Sequence, residues 1–157
     1  MAKHKVLMTG ASGYIASLIL PTMRDHFDLV LADVSDTDRD GNKIEGVYIA
    51  DFIDTDRSKY AHLFEGVDAV IHLAFKPHTA RGSEFEKAPI DRFDNEHENV
   101  QMANNIYRSA YDAGVRRIAV ASSNHAADWY EHSLIHDRKM DMVRPTDFPI
   151  SDNFYGW

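Results

Sequence analysis

Lys5-Val6-Leu7-Met8-Thr9-Gly10-Ala11-Ser12-Gly13-Tyr14-Ile15-Ala16 is the stretch whose reading decides the fold. Its first five residues form a short apolar run. Gly10 to Gly13 make a turn of small residues, and from Tyr14 to Arg24 the apolar side chains Ile15, Leu18, Ile19 and Met23 recur at helical spacing. Strand, turn and helix follow from that pattern. Outward from it the alternation repeats: Asp28 to Val34 reads as a second strand, closed by the polar stretch Ser35 to Asn42. Gly46 to Ala50 reads as a third strand, Arg57 to Phe64 as a short helix and Asp68 to Ala74 as a fourth strand. After an irregular stretch from Phe75 to Pro89, a long helix is expected over Asp94 to Ala113, with Gly114 at its C-cap. Arg117 to Ser122 is the fifth strand, and Asn124 to Trp157 reads as loop with one helical turn.

Strands that are apolar throughout and separated by helices belong to a parallel sheet covered on both faces. The expected fold is therefore a doubly wound α/β domain of Rossmann type. Right-handed crossovers and a switch point between the first and fourth strands give the strand order 3-2-1-4-5, with ligands at the carboxyl ends of the strands. A length of 157 residues fits one domain with a real core, and 44% hydrophobic with 27% charged residues is an ordinary globular composition. The formal net charge of -8 repels a phosphate backbone and argues against nucleic acid or an anionic membrane as partner. Zero cysteines exclude disulfides, a thiolate nucleophile and thiolate metal sites. Met1 to Lys5 run directly into an apolar stretch that Thr9-Gly10 interrupts, so the reading expects neither a secretory signal nor a spanning helix, and a cytoplasmic location.

The turn from Thr9 to Ala16 puts small residues where a backbone approaches a ligand, and it aims the free amides of the following helix at a pyrophosphate. Turns need glycine in any case, so the turn alone carries little. Asp33 gives it context. It stands at the carboxyl end of the second strand, about 20 residues beyond the glycines, where a carboxylate accepts the hydroxyls of an adenosine ribose. The same charge repels a ribose 2′-phosphate, and no arginine follows at Val34 or Ser35, so NAD is expected over NADP.

The spacing TGxxGxxA at Thr9 to Ala16, Asp33, Asp51-Phe52, Leu73-Ala74-Phe75, Asn99 and Ser122-Ser123 together resemble the extended short-chain dehydrogenases, the NAD-dependent epimerase/dehydratase family. The likeness covers the whole chain. Ser123-Asn124-His125 and Phe154-Tyr155-Gly156 are most similar to the uronate dehydrogenases, which oxidise hexuronic acids at the anomeric carbon with NAD. The resemblance implies that Gly10, Gly13, Tyr14 and Ile15 hold the pyrophosphate, Asp33 the adenosine ribose, and Asp51 and Phe52 the adenine. Leu73, Ala74 and Phe75 would face the ribose and nicotinamide, with Asn99 and Ala121 completing the cofactor set. Ser123 would orient a sugar hydroxyl, Asn124 and His125 would contact the sugar, and Tyr155 would be the general base.

Two departures stand against the family pattern. A lysine four residues after the tyrosine normally lowers its pKa and holds the nicotinamide ribose, and here Trp157 is the last residue. A phenol without a cationic neighbour is ionised to about one part in a thousand at neutral pH. Residues 1–157 are accordingly expected to be the N-terminal part of a dinucleotide-binding domain whose substrate half lies elsewhere, inactive alone and prone to homo-oligomerise through exposed apolar surface. The second departure is Phe75-Lys76-Pro77-His78 after the fourth strand, where uronate dehydrogenases carry small polar residues. Asp128 to His132 reads as a surface insertion, with a substrate lid as the alternative reading.

No metal is expected. His132 and His136 have i, i+4 spacing, but no glutamate follows the first histidine and no third ligand is evident. His72 reads as a packed core histidine, and no G-x-S-x-G elbow surrounds Ser123. The functions left are an NAD-dependent oxidoreductase acting on a sugar or sugar acid, a nucleotide-binding or regulatory domain without turnover, and a sugar-nucleotide epimerase or dehydratase.

Overall fold

The computed structural model describes residues 2–77 and 89–157. Its strands are β1 (Lys5–Thr9), β2 (Asp28–Asp33), β3 (Val47–Ile49), β4 (Ala69–His72) and β5 (Arg117–Val120), and its long helices are α1 (Tyr14–His26) and α2 (Pro89–Asp112). All strand pairs are parallel, in the order β3-β2-β1-β4-β5. The register sets Leu7 beside Val30 and Val70, and Met8 beside Leu31 and Ile71. Successive residues point to opposite faces, so apolar strands feed two cores. On one face Leu7, Ala32 and Val70 pack with Phe52, Tyr60, Phe64 and the α2 residues Met102, Ile106 and Ala110. On the other, Met8 and Leu31 pack with Ala11, Ala16 and Leu20 from the turn and α1. Each large apolar side chain buried this way is worth roughly 1.5–3 kcal/mol. By contrast β5, at the sheet edge, is exposed along its whole length.

Four expectations need correction. Arg57 to Phe64 forms two 3-10 turns, Arg57–Lys59 and Ala61–Phe64, instead of one helix. Tyr60 breaks it: its φ of -132° lies outside the helical region, and its buried ring stacks edge-on against Phe52. Helix α2 covers Pro89–Asp112 among the described residues, reaching five residues ahead of the expected start at Asp94. β2 to β5 are all shorter than read, ending at Asp33, Ile49, His72 and Val120. Beyond β5 the chain makes three helical turns, at Asn124–Ala126, Asp128–Tyr130 and Glu131–Ile135, where one was expected.

The chain divides into two compact units: Met1–Pro77 with His97–Ala121, and His78–Glu96 with Ser122–Trp157. The sheet and both cores belong to the first. Within the second, Trp129 donates its backbone N–H to the Ile150 carbonyl (3.3 Å) and the Tyr130 hydroxyl donates to the Phe148 carbonyl (3.0 Å). The segment from Asp128 to His132 is thus a helical turn pinned to Ile150 and Phe148. Of Phe75-Lys76-Pro77-His78, the histidine lies outside the described residues.

Candidate functional site

The site in the first unit is built where β1 and β4 part. Gly10 has φ +75°, and a Cβ there would stand 2.5–2.7 Å from the Ala74 N, the Leu73 carbonyl carbon and the Ala74 Cα. Only glycine fits. Its amide donates to the Ala32 carbonyl at 3.0 Å, and Gly13 donates to the Gly10 carbonyl at 3.0 Å, closing the turn. Gly13 is the N-cap of α1, which has neither a side-chain cap nor an acidic residue in its first turn. The amides at that end therefore keep their capacity to bind an anion.

Gly10, Gly13, Tyr14, Ile15, Asp33, Asp51, Phe52, Leu73, Ala74 and Phe75 all line one cleft of about 740 Å³. Asp33 is fixed in it. Its Oδ2 accepts from the Ser12 amide (2.9 Å) and hydroxyl (2.7 Å), and its Oδ1 from the Val34 amide (2.7 Å). Phe52 is buried against Tyr60 and Phe64, and Asp51 Oδ1 accepts from the Ile53 amide at 2.9 Å. Burial pushes the Tyr60 phenol up to about 12, so it stays protonated and donates to the Asp54 carbonyl at 2.7 Å.

Asn99 and Ala121 do not line this cleft. Asn99 instead clamps the loop after β4: its Oδ1 accepts from the Lys76 amide (2.8 Å) and its Nδ2 donates to the Lys76 carbonyl (3.2 Å). Ala121 donates its amide to the His72 carbonyl at 3.0 Å, extending the β4–β5 ladder. His72 is buried, as read from the sequence, and its Nδ1 shares a hydrogen bond with Thr9 Oγ1 at 2.9 Å. Desolvation pushes its pKa down to about 4, which keeps the ring neutral.

Sequence reasoning missed three residues here. Ser12 locks Asp33. Asn105, buried on α2, donates its Nδ2 to the carbonyls of Phe52 (2.9 Å), Asp54 (3.2 Å) and Ile53 (3.4 Å), and so holds the wall that carries Asp51 and Phe52. Arg39 stands on the cleft lining with its guanidinium 5.0 Å above the Tyr14 ring. No helical or strand periodicity marks it, because a turn in the loop after β2 brings it there.

The second unit gathers Ser123, Asn124, His125 and Tyr155. Ser123 Oγ accepts from the His125 amide (3.3 Å) and donates to Asn124 Oδ1 (3.3 Å). Asn124 Nδ2 donates to both oxygens of Asp128, at 2.9 and 3.1 Å. The His125 Nδ1 lies 3.0 Å from Asp152 Oδ1 and 3.1 Å from Asp128 Oδ2, which leaves Nε2 as its other polar atom. Its ring meets Tyr155 edge-on, centroids 5.8 Å apart, and Gly156 has no room for a Cβ against the His125 carbonyl. Among the described residues, His125, Asp128 and Asp152 are a set whose ligand atoms, all within 4.8 Å of one another, suit a cation. His132 and His136 have centroids 5.6 Å apart, and His136 pairs with Glu131 at 3.3 Å.

Parallel order 3-2-1-4-5 with a glycine turn at the switch point defines a Rossmann-type nucleotide-binding domain. Residues 6–147 match the model of the NAD dependent epimerase/dehydratase family, and the chain belongs to that family. It is 36% identical over 163 aligned positions to the NAD-dependent glucose-6-phosphate dehydrogenase of Haloferax volcanii, covering 96% of this chain and 57% of that protein. To the uronate dehydrogenase of Pseudomonas syringae pv. tomato it is 28% identical, covering 98% of this chain and 49% of the relative. The solved glucuronic acid dehydrogenase of Chromohalobacter salexigens superposes with a TM-score of 0.71 at 23% identity, over 98% of this chain and 50% of that one, and shares the fold. The chain spans about half the length of the curated relatives it matches.

Proposed function

We propose that this chain carries the cofactor half of an NAD-dependent oxidoreductase that oxidises a sugar or sugar acid at a hydroxyl-bearing carbon. The observation that carries the reading is the cleft, where a tight glycine turn, an uncapped helix start and a fixed carboxylate converge. These features fit a dinucleotide. In the proposed arrangement Gly10, Gly13, Tyr14 and Ile15 hold the pyrophosphate through backbone amides, and Asp33 accepts the ribose hydroxyls on its remaining lone pairs. Asp51 and Phe52 border the adenine, and Leu73, Ala74 and Phe75 face the nicotinamide end. When bound, the nicotinamide supplies a hydride acceptor.

Ser123 would orient the substrate hydroxyl and Tyr155 would take its proton as the carbon–hydrogen bond gives up hydride. Asn124 and the Nε2 of His125 would contact the sugar, with the Asp128 and Asp152 carboxylates holding that imidazole in place. The named activities of the relatives, on glucose 6-phosphate and on uronates, support an aldose or its acid or phosphate as the substrate class. Residues 1–157 incubated with NAD and, separately, glucose 6-phosphate, galacturonate and glucuronate are expected to bind NAD without forming NADH, whereas a chain of the relatives' full length that contains them is expected to form NADH with at least one. Binding of NAD without turnover by that longer chain would favour a nucleotide-binding domain over a dehydrogenase.

A further inference from the structure

We propose that His125, Asp128 and Asp152 form a binding site for one divalent transition-metal ion of the zinc and manganese class. The site lies wholly within the second unit and does not rest on the reading of the cleft.

The three side chains offer one imidazole nitrogen and two carboxylates, with ligand atoms all within 4.8 Å of one another. His125 Nδ1 stands 3.0 Å from Asp152 Oδ1 and 3.1 Å from Asp128 Oδ2. Two neighbouring ligands, each about 2.1 Å from a six-coordinate metal, lie about 3.0 Å apart, so these spacings fit an ion without rearrangement. Hydrogen bonding within the set fits less well. The Gly156 amide donates to Asn153 Oδ1 at 2.9 Å, which makes Nδ2 the end of that amide that meets His125 Nδ1, at 3.1 Å. A proton on Nδ1 serves the carboxylates and faces the Asn153 donor, whereas a lone pair there serves Asn153 and faces two carboxylates. Neither state answers all three neighbours. A cation on the lone pair answers both carboxylates at once and leaves the exposed Asn153 amide to water.

Charge and support argue the same way. Among the described residues no lysine or arginine pairs with Asp128 or Asp152, and His125 is the one partner of positive potential for both. The Asp128 side chain is only 9% exposed, and a carboxylate so far removed from water calls for a positive partner. Asn124 Nδ2 donates to both Asp128 oxygens, the kind of outer contact that orients a metal-bound carboxylate. The Trp129 amide, bonded to the Ile150 carbonyl at 3.3 Å, ties the Asp128 turn to the segment that carries Asp152. One nitrogen with two carboxylates suits zinc or manganese, while magnesium and calcium take oxygen ligands. Bound at Nδ1, the ion leaves Nε2 for the sugar contact proposed above and fastens the His125 turn to the stretch that leads into Tyr155. The three residues follow no ligand-spacing motif, which is why a metal was not expected from the sequence.

Calorimetric titration of the intact protein with Zn²⁺ and with Mn²⁺, for the unaltered chain, Asp128→Asn, Asp152→Asn and His136→Ala, tests this. The unaltered chain is expected to bind at least one of the two ions at one site per chain and to melt at a higher temperature with it. Asp128→Asn and Asp152→Asn should each weaken that binding by about tenfold or more, and His136→Ala by less than about threefold. If Asp128→Asn does not fold, the more exposed Asp152 decides alone. Folded protein that binds neither ion overturns the inference, and so does Asp152→Asn with unchanged affinity. Loss of binding in His136→Ala with retention in Asp152→Asn also overturns it, since the ion would then sit on the His132–His136 pair.

Discussion

A methyl group at position 10 has nowhere to go: φ is positive and the backbone of Leu73 and Ala74 fills the space. Gly10→Ala is therefore expected to cost more than about 2 kcal/mol and to abolish dinucleotide binding, because relief requires parting β1 from β4 at the site itself. Thermal melts with and without NAD check both parts. At His72 the argument concerns protons. Above pH 6.5 the ring is neutral folded and unfolded. Between pH 6.5 and about 4 the unfolded chain takes up a proton that the buried ring refuses, so stability falls as pH falls through that window, by about 3 kcal/mol in all. Denaturation midpoints followed across this range should show the slope, and His72→Asn should flatten it; an identical slope in the variant would remove the assignment.

Elements were legible in the sequence wherever periodicity was strong. The β1–turn–α1 unit and the Gly114 stop, whose φ is +74°, follow from apolar spacing and glycines, and the order of five strands follows from crossover handedness and the switch point. What the spacing does not encode is tertiary override. Tyr60 breaks a helical pattern because its ring is drawn into the core, and Arg39 reaches the cleft through a turn built by Asp38. Asn105 sits among apolar α2 positions and looks like a solvated helix polar until the carbonyls of residues 52–54 are seen to need it. Asn105→Ala should cost about 1–3 kcal/mol, for unpaired buried carbonyls, and should weaken binding at the adenine end. Urea denaturation with NAD titration separates the two effects. Pro21 stands inside α1, where it removes one intrahelical hydrogen bond. Pro21→Ala is expected to stabilise the protein by about 1–3 kcal/mol, and an unchanged or lowered melting temperature would contradict that.

At the scale of the whole molecule, the first unit holds the sheet and the cleft, and the second holds Ser123, Asn124, His125 and Tyr155. Among the described residues no helix is long and apolar enough to cross a membrane. Chemistry in this arrangement depends on the cleft taking its cofactor, and that is the claim on which the functional reading rests. Isothermal titration of the intact protein with NAD tests it most directly. The account predicts saturable binding of one NAD per chain, weakened when Asp33 is replaced by alanine. A folded protein that shows neither heat nor a shift in melting temperature with NAD would contradict it.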